Sequence, residues 1–138
     1  MTLASRSELR ELHEVLQQVG IADLLFQRTA DLSGGEQQRV AIARSLYQEP
    51  ALLLADEPVA SVDPVRAQQV MELLVGLADS RGIPLVISLH DLELARRNMS
   101  RLIGLREGRI LFDSTPKEIS EGMIKELYAL PSRESEIP

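Results

Sequence analysis

The chain has 138 residues, 44% hydrophobic and 26% charged, the proportions of one globular domain rather than of a disordered or fibrous protein. Its formal charge of −6 and 3% aromatic content argue against nucleic-acid binding through bulk charge or base stacking. No cysteine is present, which excludes disulfides, thiolate zinc sites and cysteine nucleophiles.

Leu9, Leu12, Leu16 and Val19 recur at spacings of three, four and three, which predicts an amphipathic helix. Ser5 and Glu8 have capping-box spacing, and Gly20 stands where that helix ends. Ile21 to Phe26 reads as a further helical turn, followed by a polar loop from Arg28 to Asp31. Ser33-Gly34-Gly35-Glu36 then opens a helix to about Tyr47, with a second capping box and Pro50 just past its end.

Ala51 to Ala55 is wholly apolar without alternation, the pattern of a strand buried on both faces. It is also the longest apolar run, far below the roughly 20 residues that span a bilayer. No secretory pattern occupies the first 20 residues, so a cytoplasmic location is expected. Asp63-Pro64 is a cap followed by proline at the first helical position, and the helix carries Val70, Met71, Leu74, Leu77 and Ala78 to near Gly82. Pro84 to Leu89 predicts a second buried strand, Asp91 to Asn98 a helix, and Leu102 to Leu105 a third strand. Glu107-Gly108 is a turn signal leading to an antiparallel strand at Arg109 to Phe112 that closes the sheet. Short helices are expected over Pro116 to Tyr128, and a frayed polar tail over Pro131 to Pro138. This order predicts an α/β architecture around one mostly parallel sheet, preceded by a helical segment.

Ligands of such sheets bind beyond the carboxyl ends of the strands. The first strand ends there in Asp56-Glu57-Pro58. Adjacent carboxylates in that position suit a magnesium site, with one holding the ion and the next orienting a water; a solvated strand-to-loop junction has the same sequence. The second strand ends in Ser88-Leu89-His90-Asp91, where His90 is either a surface residue or a donor to a phosphoryl oxygen. His13, on the polar side of the first helix, is assigned nothing. Ser33-Gly34-Gly35-Glu36 is a stronger signal. Its glycines allow close backbone approach, and the helix start offers unpaired N–H groups to an anion. Ser-Gly-Gly-(Gln/Glu)-x-x-Arg arises by chance in a chain of this length about once in 10,000.

Together these residues resemble the ATP-binding cassette (ABC) family of transporter ATPases. Leu32-Ser33-Gly34-Gly35-Glu36-Gln37-Gln38-Arg39 is similar to the family's signature motif, with Glu36 where glutamine is more frequent. Leu52-Leu53-Leu54-Ala55-Asp56-Glu57-Pro58 is similar to the Walker B strand, Ala60-Ser61-Val62-Asp63 to the D-loop, and His90 to the switch histidine. The resemblance implies a partial P-loop NTPase (RecA-like) fold. Residues 1–31 would be a remnant of the helical subdomain, and 32–130 the signature helix with the C-terminal part of the ATPase core. Catalysis would fall to Glu57 and His90, magnesium to Asp56, and nucleotide contact to Ser33, Gly34, Gly35, Glu36 and Asp63. The implied cofactors are ATP and Mg2+. The implied partners are a second ABC ATPase subunit and a transmembrane permease, which would put the chain on the inner face of the cell membrane. The segment from Arg106 to Asp113 resembles bacterial importers, with a lean towards phosphonate systems.

The sequence contains no G-x-x-x-x-G-K-[ST], so the resemblance covers only the C-terminal half of a nucleotide-binding domain. The phosphate-binding loop is expected upstream of Met1. In the family each ATP site is shared: one subunit brings the phosphate loop, Walker B carboxylates and histidine, and the other its signature helix. Asp56, Glu57 and His90 therefore have no nucleotide of their own chain to act on, whereas Ser33 to Glu36 could serve one held by a partner. Two expectations follow: a subunit of an importer ATPase present as a fragment, inactive alone, or a non-catalytic module docking on a full-length subunit through its signature. With a core strand missing, the isolated chain is expected to be unstable or prone to aggregate.

Overall fold

The computed structural model describes residues 5–60 and 62–129. The expected tail at 131–138, and Ser61 of the D-loop-like segment, lie outside the described residues. The chain divides into two units, Met1–Leu89 and His90–Pro138.

The first unit begins with α1 (Arg6–Gln18), where the Ser5 hydroxyl accepts from the Glu8 amide and the Glu8 carboxylate accepts from the Ser5 amide. Gly20, at φ 72°, turns the chain in the left-handed region that glycine enters without steric penalty. Short 3-10 turns at Ala22–Leu24 and Thr29–Asp31 follow, so the expected polar loop is itself partly helical. Next come α2 (Gly34–Tyr47), β1 (Leu53–Asp56), α3 (Pro64–Arg81) and β2 (Leu85–Ser88). Strands β1 and β2 run parallel, with Leu53 opposite Leu85 and Asp56 opposite Ser88.

Val15, Leu16 and Val19 of the α1 region pack with Ala43 and Leu46 of α2, Leu53 of β1, and Leu77 and Ala78 of α3. The α1 stripe is rotated from the sequence expectation: Val15 is buried, while Leu9 is exposed. Arg81 ties three helix ends together. Its guanidinium donates to the Leu46 carbonyl at 3.1 Å and to the Gln18 side-chain oxygen at 2.6 Å. The Leu46 carbonyl, at the C-terminal end of α2, also accepts from the Glu49 amide at 3.1 Å.

The strands correct one expectation. They are not buried on both faces: Leu53 is buried, but Leu54 of β1 and Val86 of β2, opposite each other, are 72% and 55% exposed. The wholly apolar run stated that both faces suit burial. Helices cover the side of Leu53, Leu85 and Ile87, and the side of Leu54 and Val86 is open to solvent.

The second unit contains α4 (Leu92–Asn98), capped by Asp91, then β3 (Leu102–Arg106), β4 (Arg109–Ser114) and α5 (Glu121–Leu127). Glu107 and Gly108, at φ 50° and 74°, form the two-residue turn that joins the antiparallel pair. Both central residues of such a turn need positive φ, which the Glu-Gly dipeptide accommodates at its second position at no steric cost. Gly104 pairs with Phe112 and Leu105 with Ile110, leaving Leu111 as a bulge. Helix α5 packs against both strands. The single sheet expected from the sequence is corrected here. The α/β order and the parallel pair are present, but β3 and β4 form their own two-stranded ladder, separate from that of β1 and β2. A two-residue turn brings β4 to β3 with little loop-closure entropy, so this pairing is local.

Candidate functional site

The open face of the first unit's sheet ends in polar groups. Side chains alternate along a strand, so Leu54 and Asp56 of β1 share a face with Val86 and Ser88 of β2. At the carboxyl edge Ser88 Oγ donates to Asp56 Oδ1 at 2.5 Å. Ser88 Oγ in turn accepts from the Glu57 backbone N–H at 2.9 Å. Glu57 leaves the strand at φ 44°, in the left-handed region that a non-glycine residue enters only against a steric penalty. Both carboxylate residues are exposed. Among the described residues no cluster of three or more His, Asp or Glu is gathered to hold a metal. The Asp56–Glu57 pair suits magnesium, which commonly takes one or two protein carboxylates and fills its shell with water and phosphate oxygens.

At the start of α2 the backbone is built as expected. Ser33 is the N-cap: its hydroxyl accepts from the Glu36 amide at 3.4 Å, and Glu36 Oε2 accepts from the Ser33 amide at 2.7 Å and the Ser33 hydroxyl at 2.6 Å. The hydroxyl, and then the amide, of Ser33 hold the Glu36 carboxyl below the usual carboxylate range. Glu36 is therefore charged near neutral pH and folded onto the helix start, the position an incoming anion favours. Neither Gly34 nor Gly35 has any neighbour within 4 Å of where a Cβ would stand. Their backbone lines a groove of about 490 Å³ between α2 and α3, with Gln38, Arg39 and Arg66 among its polar walls.

Three residues of the signature-like motif, to which the sequence reading gave no individual role, hold this region in place. Gln38 Nε2 donates to the Pro58 carbonyl at 2.5 Å, tying the signature-like helix to the loop that carries Asp56 and Glu57. Gln37 Nε2 donates to the Leu32 carbonyl at 2.9 Å, fixing the approach to the helix. Arg39 donates to the Val19 carbonyl at 2.6 Å, closing the C-terminal end of α1. Arg39 had a signal, its place in the motif. The glutamines had none, because their partners lie in loops whose position only the fold sets.

Asp63 caps α3, accepting from the Val65 and Arg66 amides at 3.1 and 3.0 Å. His90 opens the second unit and lies exposed, and its carbonyl accepts from the Tyr128 hydroxyl at 3.1 Å. The structure thus gathers Asp56, Glu57 and Ser88 at one strand edge, and Ser33 to Glu36 at one helix start.

Known proteins are similar to this chain in sequence and fold. The family description "ABC transporter" matches residues 1–60. The chain is 45% identical over 126 residues to the phosphonates import ATP-binding protein PhnC 2 of Roseobacter denitrificans, covering 91% of this chain and 46% of that protein. It is 51% identical over 115 residues to the phosphonates import ATP-binding protein PhnC of Rhodopseudomonas palustris, covering 83% of this chain and 43% of that one. Among solved structures, CbiO1 of Clostridium perfringens, described as part of the ABC transporter complex CbiONQ, superposes with a TM-score of 0.80 at 32% identity. That match covers 91% of this chain and 51% of CbiO1. The chain therefore spans about half the length of the relatives it matches.

Proposed function

Because residues 1–60 match the ABC transporter family and the chain is 45% identical to a phosphonates import ATP-binding protein, we propose that it belongs to the ATP-binding cassette family, as the signature- and Walker B-bearing part of an importer's ATP-binding subunit. In a complete site Asp56 would hold magnesium, whose charge would stabilise the transferring phosphoryl group. Glu57 would polarise the attacking water, and His90 would contact the γ-phosphate. Ser33, Gly34, Gly35 and Glu36 would face a nucleotide held by a second ABC ATPase subunit, with Asp63 on the segment beside it. The observation that carries this reading is the exposed, glycine-lined helix start joined by Gln38 to the loop behind Asp56 and Glu57.

No helix among the described residues is long and apolar enough to cross a membrane. By resemblance, transport would run through a transmembrane permease, on which the chain would sit at the inner membrane face. The relatives named as phosphonate importers favour that substrate class. The sequence contains no phosphate-binding loop, so these 138 residues alone would not hydrolyse ATP. A cluster of carboxylates without a backbone nest repels a triphosphate rather than gripping it.

The test measures magnesium-ATP binding to the purified chain, alone and mixed with a full-length PhnC relative whose own signature serine is mutated. No binding alone, and ATP turnover restored in the mixture, supports the reading. A mixture that associates without turnover favours a non-catalytic module docking through the signature. ATP turnover by the chain alone, abolished in Glu57→Gln, overturns the proposed inactivity.

A further inference from the structure

We propose that Ser88 is the positioning residue of the β1 carboxylates, one hydroxyl setting both the side chain of Asp56 and the backbone of Glu57. The parallel register places Ser88 directly opposite Asp56 at the last step of the ladder, on the same exposed face. A serine hydroxyl has one proton and two lone pairs, so it can donate and accept at once. Here it does both, donating to Asp56 Oδ1 at 2.5 Å and accepting from the Glu57 amide at 2.9 Å.

Each bond answers a particular need. Asp56 is exposed, and an exposed aspartate would otherwise sample several rotamers. The Ser88 proton selects one and takes one of its oxygens, so the carboxylate meets a cation from a fixed side. Glu57 departs from the strand with positive φ, where a non-glycine backbone needs its surroundings to hold it. The Ser88 oxygen holds it through the amide. The two carboxylates thus leave the strand in a set relation that their own adjacency does not impose. Alanine or valine at position 88 would break both bonds, and threonine would keep both.

The consequence for a cation rests on the proposed role of Asp56; the clamp itself does not. The test uses the 15N-labelled full chain as wild type, Ser88→Ala and Ser88→Thr, with manganese(II) as the probe ion. The Glu57 amide is expected to exchange with solvent about fivefold faster in Ser88→Ala, the effect of losing one hydrogen bond. Wild-type exchange should return in Ser88→Thr. Unchanged exchange at Leu54 and Ala55 would show that β1 is intact. Manganese is expected to broaden the Asp56 and Glu57 resonances in the wild type, and to need a several-fold higher concentration to do so in Ser88→Ala. Equal Glu57 exchange in wild type and Ser88→Ala overturns the proposal, whatever manganese does. Faster exchange in Ser88→Ala without manganese broadening in any form supports the clamp, and removes the cation from the proposed function instead.

Discussion

The ring of Phe112 lies across Gly104 so closely that a Cβ on residue 104 would stand 2.4 Å from the ring. The two residues face each other across the β3–β4 ladder, just before its bulge, and Phe112 is buried. Glycine is needed here for the absence of a side chain, not for its backbone freedom. Gly104→Ala is expected to displace the ring and destabilise the second unit by about 1–3 kcal/mol, as overpacking does. Urea denaturation followed through resonances of residues 102–114 measures it. A second change, Phe112→Leu in the Gly104→Ala background, should recover part of the loss.

Arg39 joins the signature-like helix to the end of α1 through its 2.6 Å bond to the Val19 carbonyl. Hydrogen bonds from charged donors contribute about 1.5–3 kcal/mol when their partner is withdrawn from solvent, and Val19 is fully buried. Arg39→Ala should lower the stability of the first unit by an amount in that range. Thermal unfolding by circular dichroism would show it. An unchanged midpoint contradicts the structural role.

Acid should weaken two helix starts and the turn after β4 in a defined direction. Glu36 and Glu118 are held below the usual carboxylate range first by the hydroxyls of Ser33 and Thr115, and Glu8 first by the Ser5 amide. A carboxyl lowered in the folded state contributes stability that is complete above its unfolded value. That contribution disappears as pH falls through the lowered folded value. Unfolding midpoints are therefore expected to drop as pH descends through and below the ordinary carboxylate range. The carboxyl carbons of all three residues should titrate late in an NMR series. Glu36→Gln should remove its share of the pH dependence while keeping the cap; titration of Glu36 at its ordinary value would contradict this.

Asp63 has two possible duties, and a pair of substitutions separates them. As the N-cap of α3 it accepts two backbone bonds. Asp63→Ala should destabilise the chain by about 0.5–2 kcal/mol, and Asp63→Asn by much less, because asparagine caps equally well. Loss of turnover in Asp63→Asn, measured with a full-length partner, would then report nucleotide contact rather than folding.

The open sheet face predicts the behaviour of the isolated chain. Leu54 and Val86 lie side by side and exposed in the first unit, and Leu105 and Ile110 do so in the second. Exposed apolar strand surface favours self-association. Light scattering should show self-association that grows with concentration, reduced by Leu54→Lys together with Leu105→Lys. A monodisperse monomer with one cooperative thermal transition would contradict this.

Much of this was legible from local pattern. Capping boxes at Ser5–Glu8 and Ser33–Glu36, the Asp63-Pro64 helix start and the Glu107-Gly108 turn depend on a few neighbouring residues, and each forms as its spacing predicts. The signature-like and Walker B-like motifs are likewise contiguous, which is why a single sequence displays them. Sheet membership and exposure were not legible. An apolar run says that a strand tolerates burial on both faces, and whether a second layer is there to cover Leu54 and Val86 depends on other chain segments.

By itself, the sequence determined the α/β order, the capped starts of α1, α2 and α3 and the chemical types at each strand and helix end, because these arise from contacts between residues near in the chain. Only the tertiary structure decided that Ser88 meets Asp56 and Glu57, that Gln38 reaches Pro58, and that Phe112 covers Gly104. The partners of Ser88 and Gln38 lie 20 to 32 residues away in the chain. Their meeting is set by the register of a ladder and the packing of a helix, and no periodicity in the chain encodes either.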